Sequence, residues 1–334
     1  MRRSQPLRQA GAALLAAMLT VTLVATFAAA AMWQQWRNVE VEATERARVQ
    51  AGWILVGALD WSRLILREDY LADLRTGAGQ VDHLAEPWAV PLQEARLSSF
   101  LAADRDNTVT APGNVQDAFL SGQIRDAQAR MNFADLVDNG QLSDFWYPAF
   151  QRLFEQLGLP QPELARIAQG MVAAQAADAA TAPLLPQRLA QFAWYGVSPG
   201  TLQALEPYAT ILPDRTPINL NTASATVLAA AVPQLDGAGA QRLVAARAAA
   251  PLRTTADAVR AIGNEAVQLN PGAHSVFSVF FEIAGRLRLE NAVVEERSLV
   301  RREGSNVRTL WRERGALGVA QALQTGTGLP PLPR

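Results

Sequence analysis

Few side chains in this sequence have the type and spacing that chemistry needs. His83 and His274 are its two imidazoles, and neither has a second His four residues on, the spacing that sets two zinc ligands on one helical face. Both read as hydrogen-bonded structural residues. Glu295 with Glu296, and Asp135 with Asp138, are candidate carboxylate pairs; acids so placed on a strand or turn read as solvated groups. The loop Asp104, Arg105, Asp106, Asn107 offers hard oxygens, but a calcium ion takes about six to eight of them, so the loop reads as a polar turn. No Gly-x-Ser-x-Gly elbow, P-loop or dinucleotide fingerprint follows a strand-like run. The absence of Cys excludes disulfides and thiolate metal sites. No catalytic residue and no metal ligand is assigned.

The sharpest internal motif is INLNTASATVLAAAVPQLDGAGAQRLVAAR, starting at Ile218. It has the form of a helix-hairpin-helix, whose Gly-x-Gly turn, here Gly237 and Gly239, can present backbone N–H groups to a phosphate. A membrane-tethered DNA-binding protein is therefore the alternative reading of the chain. Between Pro217 and Val267, however, four Arg stand against three acids, a poor electrostatic footprint for a nucleic-acid site, and Asp236 lies beside the cradle. The hairpin reads as packing, with Asn219 and Asn221 fixing the helix entry and Thr222 or Ser224 capping it. Over the whole chain the net charge is −1, too little to gather nucleic acid or an acidic membrane surface. All of its basic side chains are Arg.

The elements that must carry these residues begin with a long apolar rod. From Gln9 to Trp36 the 334-residue chain has no charge, long enough at 1.5 Å per residue to cross a hydrocarbon layer of about 30 Å. Leu14, Leu15, Leu19, Leu23 and Phe27 are its larger apolar residues. Arg2, Arg3 and Arg8 precede it, whereas Arg37 is followed by Glu40, Glu42 and Glu45. That bias predicts a cytoplasmic N-terminus with the body across the membrane. A cleaved secretory signal has a shorter apolar core of about 7 to 15 residues. Helical periodicity also continues beyond the run: Val39, Ala43, Ala47, Gln50, Ile54, Gly57, Trp61 and Leu64 follow at three- and four-residue steps. One continuous helix that leaves lipid and packs this stripe on a domain is expected.

A basic leader ending in Gly11, followed by Ala12, a long apolar helix and an amphipathic continuation, resembles the class III signal of type IV pilins and pseudopilins. The resemblance implies that a prepilin peptidase cuts between Gly11 and Ala12 and methylates the new N-terminus, leaving the helix in the product. Most members carry Glu at the fifth mature position; here that position is Ala16. A carboxylate in hydrocarbon needs a partner, and a subunit at the end of a stack lacks one neighbour. Lack of this Glu and a large body are features of the K-type minor pseudopilins of type II secretion systems. VDHLAEPWAVPL (Val81 to Leu92), FLSGQIRDAQARMNFADL (Phe119 to Leu136) and TPINLNTASATVLAA (Thr216 to Ala230) are similar to segments of that family in the same order. The second corresponds to its first strand pair, where a Gly commonly stands in place of Ala129, a residue less suited to positive φ.

The family resemblance implies an α+β fold, a type IV pilin-like transmembrane helix packed on an antiparallel sheet with a large inserted α-helical domain. The residues read the same way. FQRLFEQLGL, PELARIAQGMVAAQAA and LPQRLAQFAWYG have helical spacing between Gly158, Pro160, Pro183 and Pro186. Phe277, Val279, Phe281, Ile283, Leu287 and Leu289 alternate with Ser278, Glu282, Arg286 and Arg288, a strand with one wet face. Val307, Thr309 and Trp311 repeat it after a turn at Gly304 to Asn306. Strands near 115–135 and 275–313 are expected to share a sheet.

The expected organisation is a leader at 1–11, a membrane helix at 12–36 and its continuation at 37–70. An α/β body follows at 71–140 and 271–315. It is split by a helical insert at 141–270 that contains the hairpin at 216–263, and a flexible tail occupies 316–334. By resemblance the function is that of a non-enzymatic subunit capping or initiating the periplasmic pseudopilus that pushes folded proteins through the outer-membrane secretin. Its implied partners are minor pseudopilins I and J, other pseudopilins of the filament, the prepilin peptidase and the inner membrane, with no nucleic acid. No cofactor is assigned. Some K-type members bind calcium in the helical insert, but the corresponding stretch here offers only Asp178.

Overall fold

A computed structural model describes residues 10–77, 79–98, 118–175, 182–264, 266–289 and 292–315. The first nine residues, the Asp104 to Asn107 loop, Asp178 and the tail from 316 onward lie outside the described residues.

Helix α1 runs unbroken over Ala10–Thr76, 67 residues. It contains no Pro and few β-branched clusters, and nothing in its sequence interrupts the ladder until Gly77, which takes φ +66. Its second half lies on a five-stranded antiparallel sheet. The strands are β1 (Leu92–Arg96), β2 (Ala118–Asp126), β3 (Phe280–Leu289), β4 (Ala292–Glu303) and β5 (Asn306–Arg314), and their order in the sheet is their order in the chain. β2 and β3 are neighbours across the long excursion, with Leu120 opposite Leu287, Gly122 opposite Gly285 and Ile124 opposite Ile283. The β4 to β5 turn passes through Gly304 at φ +60.

Leu120, Ile124, Phe281, Ile283, Leu287 and Val300 seal the sheet against α1. The helix face they receive is Ala51, Leu55, Leu59 and Leu66, flanked by Ala47, Ile54, Ala58 and Ile65. This is roughly a third of a turn from the stripe that the periodicity suggested: Gly57 and Leu64 point away from the sheet. The sheet makes the choice, because α1 settles over a glycine. A Cβ on Gly285 would come within 2.9 Å of Leu55 Cδ1. Arg63 then pins the helix edge by donating to Val307 O at 2.8 Å.

Two further expectations change. The far face of β3 is not uniformly wet: Glu282 is buried between Arg130 at 2.7 Å and Arg297 at 3.0 Å. Phe277 precedes the strand and is exposed. The segment Phe119 to Leu136 forms no strand pair. β2 ends at Asp126, whose carboxylate accepts from Gln128 N and starts a 3-10 turn over Ala127–Ala129. Ala129 sits in that turn without positive φ. Met131–Asn132 next pairs in parallel with Ala209–Thr210.

The insert has its own core. Its helices are α2 (Trp146–Gln156), α3 (Gln161–Ala174), α4 (Pro199–Leu205), α5 (Ala225–Ala231), α6 (Gly237–Ala249) and α7 (Thr255–Ile262), while Leu189–Tyr195 is a 3-10 turn rather than an α-helix. Phe133 stacks on Phe150 at 4.2 Å and meets Phe192 edge-on at 4.8 Å. This core draws in Met131, Phe133 and Leu136 before residue 141, Ala273 and Val276 after 270, and Val81 from the linker. The helical unit therefore reaches further along the chain at both ends than 141–270.

Candidate assembly site: the exposed rod and its polar anchor

Among the described residues nothing covers the rod's first half. Its most apolar stretch has no buried residue, and Leu14, Leu15, Leu19, Leu23 and Phe27 are all exposed, Phe27 by 68%. Gly11 and Ala12 lie inside α1, and Ala12 and Ala16 face outward. The hydroxyls of Thr20, Thr22 and Thr26 donate to Ala17 O, Met18 O and Leu23 O at 2.8, 3.0 and 2.8 Å. These polar groups of the uncharged run thus need no water, the condition for life in hydrocarbon. Beyond the run the side turned from the sheet carries exposed apolar residues, Val49, Trp53, Gly57 and Leu64 at four- and seven-residue steps, with Trp53 exposed by 72%; the exposed charges Arg46 and Asp60 lie on the same side.

The other end of the rod is tied into the body by a knot of buried charge. Arg302 on β4 has a fully buried side chain. Its Nη2 donates to both oxygens of Asp82, at 2.5 and 2.6 Å, and to Ser278 O at 2.9 Å. Its Nη1 donates to Asp69 of α1 at 3.1 Å. Asp82 also accepts from Ser278 N at 2.7 Å. Next to it, Asp126 Oδ2 accepts from Thr222 Oγ1 and Ser278 Oγ, each at 2.6 Å, and from Asn219 Nδ2 at 3.0 Å. Asn219 Nδ2 also donates to Asp82 O at 3.1 Å. The knot thus joins four parts: rod, linker, sheet and helical insert.

Burial raises the acids of this knot. Asp69 is pushed up to about 6 and Asp82 to about 7, in each case against the pull of Arg302. Glu86, whose carboxylate accepts from Trp88 Nε1 and His83 N, is pushed up to about 8. Asp126 is raised as well. Asp69, Asp82 and Glu86 bring carboxylate oxygens within 4.8 Å of one another. They do not fit a calcium ion, because the Arg302 guanidinium already holds two of the three and a hard cation wants more oxygens than remain.

Of the hairpin residues, Asn219 and Thr222 reach this knot, and the others bond within the insert. Asn221 binds Leu252 from both ends of its amide, Nδ2 to O and Oδ1 from N, each at 2.9 Å. Ser224 supplies the cap by accepting from Val227 N, while Thr222 is committed to Asp126. Asp236 Oδ1 accepts from Gly239 N at 2.7 Å, which fills the cradle a phosphate would need. A Cβ at Gly239 would lie 2.7 Å from Leu235 Cδ1, so close packing alone accounts for that glycine.

Of the candidate acids, Asp138 alone is the exposed surface group expected. Glu296 is buried and faces Arg314 at 2.5 Å and Arg312 at 3.4 Å, and Glu295 pairs with Arg286 at 3.6 Å. Asp135, buried, accepts from Thr216 N at 3.1 Å and is raised to about 7 by desolvation, whereas half-exposed Asp138 pairs with Arg215 at 2.6 Å. His274 is buried and its Nδ1 accepts from Asn270 N at 3.1 Å. Sequence reading missed Asp69, Asp82, Asp126, Ser278 and Arg302. They come from α1, the linker, β2, the stretch before β3, and β4; Arg302 stands between Arg301 and Glu303 and has no local mark, and only Ser278, between Phe277 and Val279, interrupts an apolar run.

A family model described as type II secretion system protein K matches residues 218–279, the stretch that supplies the hairpin, Asn219 and Ser278. Type II secretion system protein K of Pseudomonas aeruginosa is 24% identical over 345 residues, covering 96% of this chain and 96% of the relative. The Klebsiella pneumoniae protein of the same name is 27% identical over 347 residues, covering 94% and 98%. Along nearly its whole length the chain is thus similar to type II secretion system protein K from two bacteria. Its fold matches a chain of the crystallised GspK-GspI-GspJ complex from the type 2 secretion system of enterotoxigenic Escherichia coli. That match has a TM-score of 0.59 and 17% identity, and covers 81% of this chain and 98% of that one. That likeness shows a shared fold, which in this chain is a long N-terminal helix on an antiparallel sheet with a helical insert.

Proposed function

We propose that the chain is a non-enzymatic minor pseudopilin that caps or initiates the periplasmic pseudopilus of a type II secretion system and so helps push folded proteins through the outer-membrane secretin. The observation that carries this reading is the second apolar face of α1: Val49, Trp53, Gly57 and Leu64 remain uncovered while the opposite face is sealed on the sheet. A solitary globular protein has no use for such a stripe, whereas a bundle of sibling helices covers it. The solved relative in complex with GspI and GspJ supports minor pseudopilins I and J as the helices that do so.

In this reading the chain enters the inner membrane with its N-terminus cytoplasmic and its body periplasmic, and prepilin peptidase cuts between Gly11 and Ala12. Leaving the bilayer costs little if neighbouring rods replace lipid around Leu14, Leu15, Leu19, Leu23 and Phe27. Ala16, in the place of the usual Glu, offers no carboxylate to a subunit stacked above, and the bulky insert hinders such stacking. Both properties suit the end of a filament.

The test is co-purification of the full chain with minor pseudopilins I and J from membranes, with the mature N-terminus determined by mass spectrometry. A ternary complex containing a chain that starts at methylated Ala12 is expected. A chain that starts beyond about Ala30 and is soluble without the rod would overturn the reading.

A further inference from the structure

The uncharged run ends in two indoles. Trp33 and Trp36 are 61% and 59% exposed, their rings 5.5 Å apart and tilted by 42°. With Ala29 and Met32 they line one shallow groove along α1, residues at three- and four-step spacing and hence on a single face. Between the two rings stand Gln34 and Gln35, and Arg37 follows at once. Between Ala10 and Met32 the polar side chains of the run are Thr20, Thr22 and Thr26, whose hydroxyls are closed onto their own helix. The chain therefore switches, within one helical turn, from side chains that ask nothing of water to amides, indole N–H groups and a guanidinium that do.

We propose that Trp33 and Trp36 form a collar that grips the phospholipid headgroup layer at the outer face of the inner membrane and sets how deeply the rod sits. This rests on the membrane-anchored reading above and adds the register of the anchor. Indoles prefer the interface, with the ring against acyl chains and the N–H toward ester and phosphate oxygens, and Arg37 lies one residue away to meet a phosphate. The register has a consequence at the other end. A hydrocarbon layer of about 30 Å takes about 20 helical residues, which counted back from Trp33 reaches Ala13 and Leu14. The Gly11–Ala12 bond then falls in the inner headgroup layer with little rod to spare. The collar would fix the cleavage point and the N-terminus by ruler length, and it must be released when the rod leaves lipid.

The experiment places the full chain in vesicles of phosphatidylethanolamine and phosphatidylglycerol whose acyl chains carry bromine either near the headgroup or near the bilayer centre. Tryptophan emission is compared with that of a W33F/W36F variant, and vesicle flotation is followed in parallel. The chain has eight Trp, so shallow bromines are expected to quench up to about a quarter of the emission and deep bromines distinctly less. The variant should still float but lose the shallow-selective quenching. If both chains float and quenching is equal at both depths, deeper than the headgroups, or unchanged in the variant, the collar is wrong while the anchor stands. Collar emission that responds to protein density and not to bromine would assign the groove to a neighbouring helix, and also overturns the proposal. Failure of both chains to float removes the anchored reading itself.

Discussion

Helix α1 presents two apolar faces to two different fates. One, made of Ala51, Leu55, Leu59 and Leu66, is sealed on the sheet, while the other, made of Val49, Trp53, Gly57 and Leu64, is left outside. Both faces carry large apolar side chains, although the outward one also holds Arg46 and Asp60, so an apolar stripe alone does not decide which is used. What separates them is the match to a partner within the chain: the sealed face meets Gly285, where the sheet lacks a side chain, and it ends at Asp69, which Arg302 holds. The outward face has no such lock. The body is complete without that face, which leaves it available to other chains.

The lock is where the largest effect is expected. Arg302→Ala removes the only guanidinium that reaches both Asp69 and Asp82 among the described residues. Stranding buried carboxylates in this way costs about 3–5 kcal/mol, partly offset by protonation of Asp82. Thermal unfolding of the full chain in detergent should show the midpoint falling steeply, and an unchanged midpoint would mean that the knot does not hold rod to body. Gly285→Val comes next. Its added methyls push on Leu55 at the closest approach of helix to sheet, an overpacking that costs about 1–3 kcal/mol; the double variant Gly285→Val with Leu55→Ala should recover part of that loss.

A third expectation concerns pH. Glu86 is held at about 8 by desolvation, with nearby Asp69 and Asp82 adding to the shift, against an unfolded carboxyl near 4.5. The folded protein therefore binds more protons than the unfolded chain between those values. Stability from this group is full below about 4.5 and is lost as pH rises through about 8. Each unit of separation is worth about 1.4 kcal/mol. Urea unfolding of the wild type should weaken from about pH 5 to pH 8.5, and Glu86→Gln should flatten that slope and be the more stable of the two at the alkaline end. Equal slopes would assign the protons elsewhere in the knot.

Much of the fold was legible from the chain because its signals are local. The unbroken rod follows from the uncharged run and the helical period continuing past Trp36, and the shared sheet from the change of period after residue 275. What is fixed by distant partners was not legible. The stripe read from Val39 to Leu64 was rotated from the true contact because α1 is apolar on both sides, and nothing in its own sequence marks Gly285 as its seat. Glu282, Glu296 and Asp135 were read as wet because their Arg and backbone partners lie across the sheet or on another segment. Asn219 was seen, but as a helix-entry residue; its bonds to Asp82 and Asp126 link positions 137 and 93 residues apart.

Ala129 offers a smaller test of the same locality. The resemblance to K-type pseudopilins leads to an expectation of Gly here, yet the residue follows Gln128 in a 3-10 turn at ordinary φ. Ala129→Gly should thus relieve no strain and only add unfolded-state freedom, a loss of about 0.4–1 kcal/mol. A gain in stability would indicate backbone strain at this turn.

The smallest effect on stability is expected where the effect on function is greatest. Trp53 is exposed by 72% and belongs to no buried cluster, so Trp53→Ala should leave the unfolding midpoint nearly unchanged, within about 0.5 kcal/mol. If the outward face is an interface, the same substitution removes the largest side chain on it, and aromatic anchors of this kind carry about 2 kcal/mol or more of association. Co-purification with minor pseudopilins I and J should then fall by at least tenfold while the body stays folded. An Arg302→Ala chain kept folded at low temperature should retain the association, since its lesion is on the sealed side. The opposite pattern, with Trp53→Ala unfolding the body and leaving association intact, would exchange the roles assigned to the two faces.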